Sequence, residues 1–331
     1  MSSKDPELFG LVNISITFDV EVWCGGWRNL DSSFPSSFQR YVYGDGPAGY
    51  ALPKTLEWMN EFGLQGIFFL EPLFSYRFGI EPLKEIVDLI LGAGQEVQLH
   101  LHPEWSDEAN PALVAARGPA KRPYMYQYPF EQQVELIARG VEALLLCGVP
   151  RPTAFRAGSY ACNRDTYRAL AANQIWVDSS LNTAYPGSGE GLGCAERSNV
   201  PGMIEGVKQI PVTVFRDGLG KMRHWQVGAV GFSESVHLIQ QAAHKGYTHL
   251  VLVSHNFEML VPGKSKTDPI VARRFRKLCS WLADHADRFP TTSLTAQLPA
   301  AKCVPGELKL PLSATVPRLS AQIARRLLEK I

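Results

Sequence analysis

The stretch SITFDVEVWC, residues 15–24, is an apolar run of strand character that carries two acids, Asp19 and Glu21. A strand sends residues i and i+2 to the same face, so both carboxylates aim at one point. Like charges held that close raise each other's pKa and cost stability. Such a pair therefore waits for a cation, a proton-transfer task or an arginine.

Outward from this strand, apolar runs of strand length alternate with amphipathic stretches of helix length. The strands are expected at VNISITFDVE (12–21), GIFFL (66–70), EVQLHL (96–101), TAFR (153–156), WVDSS (176–180), QIPVTVF (209–215), THLVLVS (248–254) and TTSLT (291–295). KTLEWMNEF, PLKEIVDLILGAG, FEQQVELIARGVEALLLCG, RDTYRALAANQ, SESVHLIQQAAHKG and PIVARRFRKLCSWLADHA carry helical apolar spacing, several with glycine just past the end. This alternation is the βαβ signature of an α/β protein. Seven or eight units with no Pro-, Gly- or Ser-rich linker predict one (β/α) barrel, a single catalytic domain over 1–331 with its core at about 12–296. Residues 297–331 read as a C-terminal extension ending in the basic amphipathic helix TVPRLSAQIARRLLEKI, a docking or oligomer helix. The segments 25–53, 105–129 and 182–209 are long for βα connections, and such loops build substrate sites.

Composition narrows the function classes. With 331 residues, 45% hydrophobic and 20% charged, the chain can bury a sizeable core without staples. Lysine plus arginine number 33 against 32 acids, a formal charge of +1, so no global field points to nucleic acid or an anionic membrane. The six cysteines, Cys24, Cys147, Cys162, Cys194, Cys279 and Cys303, form no CxxC pair and read as free thiols of a reducing compartment. MSSKDPELFG has no basic n-region followed by an apolar run, and no stretch approaches a membrane span; the expectation is a cytoplasmic protein.

Barrel enzymes place their chemistry at the C-terminal ends of the strands. Here those ends carry Asp19 and Glu21, His100 and His102, Arg156, Asp178, and His255 in SHNFE. In EVQLHLHPEW the histidines are again i and i+2, so both can face the Asp19 and Glu21 side if the strands are neighbours. Two imidazoles and a carboxylate leave open positions on a divalent metal, the arrangement of hydrolases that activate water. Zinc is the default by ligand type, and nickel, cobalt or iron suit the same set.

These residues resemble a family. TFD, then GIFFL where that family has an ATFF strand, then a histidine pair, FRAGSY, VDSS and a strand ending in histidine follow the order of the NodB-homology polysaccharide deacetylases of carbohydrate esterase family 4. The chain is most similar to the subgroup of lipopolysaccharide and exopolysaccharide biosynthesis, which writes D-V-E and H-x-H-P. The resemblance covers about residues 12–296 and implies a distorted seven-stranded (β/α)7 barrel that removes N-acyl groups from sugars.

The resemblance also implies roles. Asp19 matches the general base and Arg156 the arginine that orients it. Tyr160 matches the position whose backbone N–H helps hold an oxyanion, Asp178 the acid of the fourth motif, and His255 the histidine that protonates the departing amine. Glu21, His100 and His102 would hold the metal. Two departures stand out: Val20 occupies the place of the family's metal-binding aspartate, and Glu104 that of its second histidine.

Trp23, Trp27, Trp105 and Tyr160 could stack on a sugar ring or close the barrel mouth. His224, His237, His244, His249 and His285 are scattered on expected helices and loops without evident chemistry, although the loop of His224 could reach the site. Two other functions fit the sequence: a different metal-dependent amidohydrolase, and a glycan-binding pseudoenzyme that has lost part of its metal set.

Overall fold

A computed structural model describes residues 11–44, 49–115, 118, 120–193, 196, 199–296 and 306–328; Cys194, Cys303, the segment 1–10 and the junction 297–305 lie outside them. Ten strands follow in order: β1 (Asn13–Val20), β2 (Gly66–Leu70), β3 (Glu96–Leu101), β4 (Ala154–Ala157), β5 (Val177–Asp178), β6 (Gly202–Ile204), β7 (Val207–Gln209), β8 (Val214–Arg216), β9 (Met222–His224) and β10 (His249–His255). The helices are α1 (Leu30–Phe38), α2 (Leu52–Glu61), α3 (Ser75–Phe78), α4 (Ile80–Gly92), α5 (Phe130–Leu146), α6 (Arg164–Ala172), α7 (Phe232–His244), α8 (Pro269–Asp284) and α9 (Leu312–Leu328).

Eight strands form one curled sheet in the order β10-β1-β2-β3-β4-β5-β7-β6. Every pairing from β10 to β7 is parallel, seven strands in all, and only the edge strand β6 runs antiparallel. The fold is a distorted (β/α)7 barrel. Closure comes from residues 210–213 rather than from a ladder. Ile210 and Val212 donate to the carbonyls of Asp178 and Leu181 (both 2.8 Å). Thr213 donates to Val251 O at 3.2 Å, and its hydroxyl accepts the Val251 N–H at 2.7 Å.

This crossing corrects the expectation of a single strand over 209–215. Pro211 has no N–H to give a ladder, so β7 stops at Gln209 and β8 resumes at Val214, paired with β9 instead. The expected strand at 291–295 is reduced to one bridge, Thr291 with Ile14. The long segment 25–53, read as loop, holds α1 and a π-helical turn at Gln39–Tyr43.

Two apolar layers follow from strand alternation. Outward residues such as Phe18, Phe68 and Leu99 pack under the helices, with Phe18 and Phe68 stacked at 4.7 Å. Inward residues Ile67, Phe69, Ala154, Val177, Ile210 and Val251 fill the barrel over Leu294. Each fully buried side chain of this size contributes about 1.5–3 kcal/mol. Gly140 lets α5 lie close on β3, since a Cβ there would meet Leu99 and Leu101 at 2.8 and 2.9 Å. The upper barrel is polar, and there the strand ends converge.

The C-terminal segment docks through charge. Arg318 of α9 is buried with Glu234 of α7 (Nε to Oε2, 2.9 Å) and Asp217 (Nη2 to Oδ2, 2.8 Å), and Arg223 also reaches Asp217 at 2.6 Å. No described helix is long and apolar enough to cross a membrane. The four described cysteines, Cys24, Cys147, Cys162 and Cys279, are free thiols.

Candidate active site

A cavity of about 250 Å³ opens at the C-terminal ends of the strands, lined by Asp19, Glu21, His100, His102, Tyr160 and His255 among others. The i, i+2 logic brings the two pairs together. β1 pairs with β10 so that Asp19 lies opposite His255, and β3 pairs with β4 so that His100 lies opposite Arg156.

Glu21 Oε1 stands 3.0 Å from His100 Nε2 and 3.1 Å from His102 Nε2, and the three side chains offer ligand atoms within 4.8 Å of one another. His100 Nδ1 lies 2.8 Å from Arg156 O. A carbonyl only accepts, so Nδ1 carries the hydrogen and the Nε2 lone pair faces Glu21. His102 repeats the pattern more loosely, its Nδ1 3.4 Å from Glu104 Oε1. Two lone pairs and a carboxylate oxygen pointing at one spot need a cation among them, and outer partners on Nδ1 are what metal-bound histidines have. With a proton as that cation, burial opposes the charge, yet Glu21 and Glu104 hold His102 well above the usual histidine range. Burial likewise opposes the Glu21 charge, while His102 and His100 hold that carboxyl well below its ordinary value. The residues present fit a divalent metal.

Their support is built into neighbouring elements. Gly158 leaves room for the His102 ring: a Cβ there would meet His102 Cε1 and Nδ1 at 2.7 Å. Glu71, fully buried past the end of β2, accepts the backbone N–H groups of His102 and Leu73. Burial pushes its carboxyl up to about 8 against the pull of His102 and those two donors. Trp23 Nε1 donates to Glu21 Oε2 at 2.5 Å, and its ring meets the His102 ring edge-on at 4.7 Å. Asn256 clasps the Glu21 backbone, accepting its N–H at 3.0 Å and donating to its carbonyl at 3.2 Å.

Arg156, with no exposure, binds Asp19 rather than Glu21. Its Nη1 donates to Asp19 Oδ1 at 2.7 Å and Thr17 Oγ1 at 2.9 Å, its Nε and Nη2 to Ser179, and it lies over the Phe69 ring at 4.4 Å. Asp178 stands one layer behind. It accepts from Ser180 Oγ (2.5 Å), Ser180 N and Tyr167 Oη, and Ser180 Oγ in turn accepts the Ala157 N–H at 2.8 Å. Burial raises the Asp178 carboxyl to about 6 despite those donors. Ser159 and Tyr160 both have positive φ, 54° and 57°, which turns the chain sharply into the cavity wall.

His255 Nδ1 donates to Glu258 Oε2 at 2.9 Å. Burial opposes its charge, but Glu258 foremost, with Glu21 and Asp19, raises it to about 9. Gln226 joins the network, donating to both Glu258 oxygens (3.2 and 2.9 Å) and lying 2.8 Å from His224 Nε2. Glu258, Gln226, Glu71 and Tyr185 escape sequence reasoning; only the H-x-x-E spacing after β10 hints at Glu258. His224 does reach the rim, where its ring and those of Tyr160 and Tyr185 cluster within 5.2–6.0 Å. Trp105 is core, 1% exposed and stacked against Trp23 at 6.2 Å. Glu104 stands behind His102, not among the cavity's lining.

No protein-family model and no curated protein matches the chain. Among solved structures, it is similar to one from Mycobacterium smegmatis provisionally described as a polysaccharide deacetylase, at 18% identity and a TM-score of 0.52. That match covers 89% of this chain and 97% of the other. It is also similar to the 4-alpha-glucanotransferase of Thermococcus litoralis, at 11% identity and a TM-score of 0.54, covering 97% of this chain and 47% of that enzyme. Likeness at these identities shows the fold. The chemistry has to come from the site.

Proposed function

We propose that this protein is a metal-dependent hydrolase that removes an N-acyl group, acetyl foremost, from a sugar, as a carbohydrate esterase family 4 deacetylase of the lipopolysaccharide and exopolysaccharide subgroup. The observation that carries this reading is the convergence of the His100 and His102 Nε2 atoms on Glu21 Oε1, beside an Asp19 already paired with Arg156. The D-V-E and H-x-H-P wording supports the subgroup, and free thiols at the four described cysteines support a cytoplasmic setting.

Glu21, His100 and His102 hold the metal, zinc by ligand type or nickel, cobalt or iron, which when bound acidifies water and polarises the amide carbonyl. Asp19 accepts a proton from the attacking water, and Arg156 fixes the orientation of its carboxylate through Oδ1. The backbone N–H of Tyr160, in the turn where Ser159 and Tyr160 both have positive φ, is assigned to the oxygen that gains charge. His255, kept protonated by Glu258, delivers a proton to the departing nitrogen. Asp178 acts through Ser180 to place Ala157 and the turn that follows it.

Amine release from a panel of N-acetylated sugars tests the assignment. It should be measurable for the wild type and fall by about 10²–10⁴ on Asp19→Asn. Binding of glycan without amine release would make the protein a pseudoenzyme, and hydrolysis of cyclic amides alone a different amidohydrolase.

A further inference from the structure

A second cavity, of about 280 Å³, adjoins the first and shares Gln226 and His255 with it. Its lining brings together cations from three distant parts of the chain: Arg40 from the π-helical turn, Lys264 beyond β10, and Arg325 from α9. The one acid in the lining, Glu258, already accepts from His255 and Gln226. Tyr41 and Phe257, edge to face at 4.9 Å, give the cavity an apolar side.

The placement of Arg325 follows from helix geometry. Arg318 is anchored in the buried Glu234 and Asp217 cluster, and seven residues on, two turns along the same face, Arg325 reaches the cavity. There its Nε pairs with Asp268 at 2.6 Å and its Nη1 donates to Gly228 O at 3.1 Å. Arg40 lies over the Tyr41 ring at 4.4 Å and, among the described residues, donates to Gly263 O at 3.3 Å. A guanidinium has five N–H donors, so both forks keep donors to offer. Two such forks against an apolar wall match a phosphate group, which they grip in pairs of charge-assisted bonds.

We infer that this cavity is an anion subsite, and that the N-acyl sugar entering the neighbouring site carries a phosphate ester seated between Arg40 and Arg325. The sugar rests on the deacylase reading above; the anion does not. On this account the C-terminal helix, expected as a docking or oligomer helix, supplies a substrate-binding residue.

Isothermal titration of the metal-loaded protein with inorganic pyrophosphate tests the subsite directly. Binding should weaken about tenfold or more in Arg325→Gln and, separately, in Arg40→Gln, the second variant leaving α9 untouched. Unchanged affinity in both overturns the inference. In parallel, kcat/KM for amine release from N-acetylglucosamine 1-phosphate should exceed that from neutral N-acetylglucosamine by about tenfold. That ratio should collapse in either variant through KM. Equal kcat/KM for the charged and neutral sugars overturns the subsite and leaves the deacylase standing. Arginine-dependent pyrophosphate binding with no amine release from any sugar keeps the subsite and removes the deacylase.

Discussion

Val20 sets the division of labour between the two acids it separates. Because D-V-E is a regular strand pattern, Asp19 and Glu21 share a face without any bend, one meeting Arg156 and the other the two histidines. Past the end of β4, Gly158 makes room for the His102 ring. In Gly158→Ala the new methyl would fall 2.7 Å from the imidazole and 2.8 Å from the Leu101 carbonyl oxygen, so both the ring and the end of β3 have to give. A metal titration should show affinity down by about 10–100-fold, the scale of lost outer-shell support, with the circular dichroism spectrum unchanged. Wild-type affinity would mean that His102 is not a ligand.

His255 belongs to the same scale. Its folded-state pKa of about 9 lies above the ordinary value of about 6.5, so its stabilising interaction is complete below about 6.5 and is lost as pH rises through about 9. As a proton donor it should hold kcat/KM up to an alkaline limb near that pH. Glu258→Gln removes the leading upward influence, and the limb should move toward neutrality. A limb that stays in place would assign it to another group.

Among the elements, the Asp19 and Arg156 bond ties the end of β1 to β4 across the barrel mouth, with Thr17 and Ser179 completing the guanidinium's partners. Arg156→Ala would leave Asp19 charged and nearly buried without its partner. Urea unfolding should show a loss of about 3–5 kcal/mol, and Asp19→Asn in the same background should recover part of it. No recovery would place the cost in lost packing on Phe69 instead. At this level the sequence is most readable where period and boundary agree. β2 and β3 fall on the expected GIFFL and EVQLHL, β2 apolar on both faces and β3 apolar on its helix-facing side, where Val97, Leu99 and Leu101 alternate with Gln98 and His100. It is least readable where one run serves two elements, as at 209–215, because nothing local says that Pro211 sits where the ring must close. Glu71 and Glu258 are similar: single acids in sequence, given meaning only by the backbone N–H groups or histidine that folding brings to them.

For the molecule as a whole, the C-terminal segment is bonded into the barrel's outer layer and delivers a cation beside the site. Arg318 has no exposure and faces Glu234 and Asp217, themselves nearly or wholly buried. Arg318→Ala should cost about 3–5 kcal/mol in global unfolding, since it leaves Glu234 without its cation. A loss below about 1 kcal/mol would mean that α9 is peripheral to folding. The tail's basic amphipathic character shows in its sequence; the buried acids that receive it do not.

On the proposed function, Glu21, His100 and His102 hold one catalytic metal. Elemental analysis of protein purified without a metal-affinity tag tests it most directly. About one divalent ion per chain is expected in the wild type and almost none in the His100→Ala, His102→Ala double variant. An undiminished metal content in that variant would contradict it.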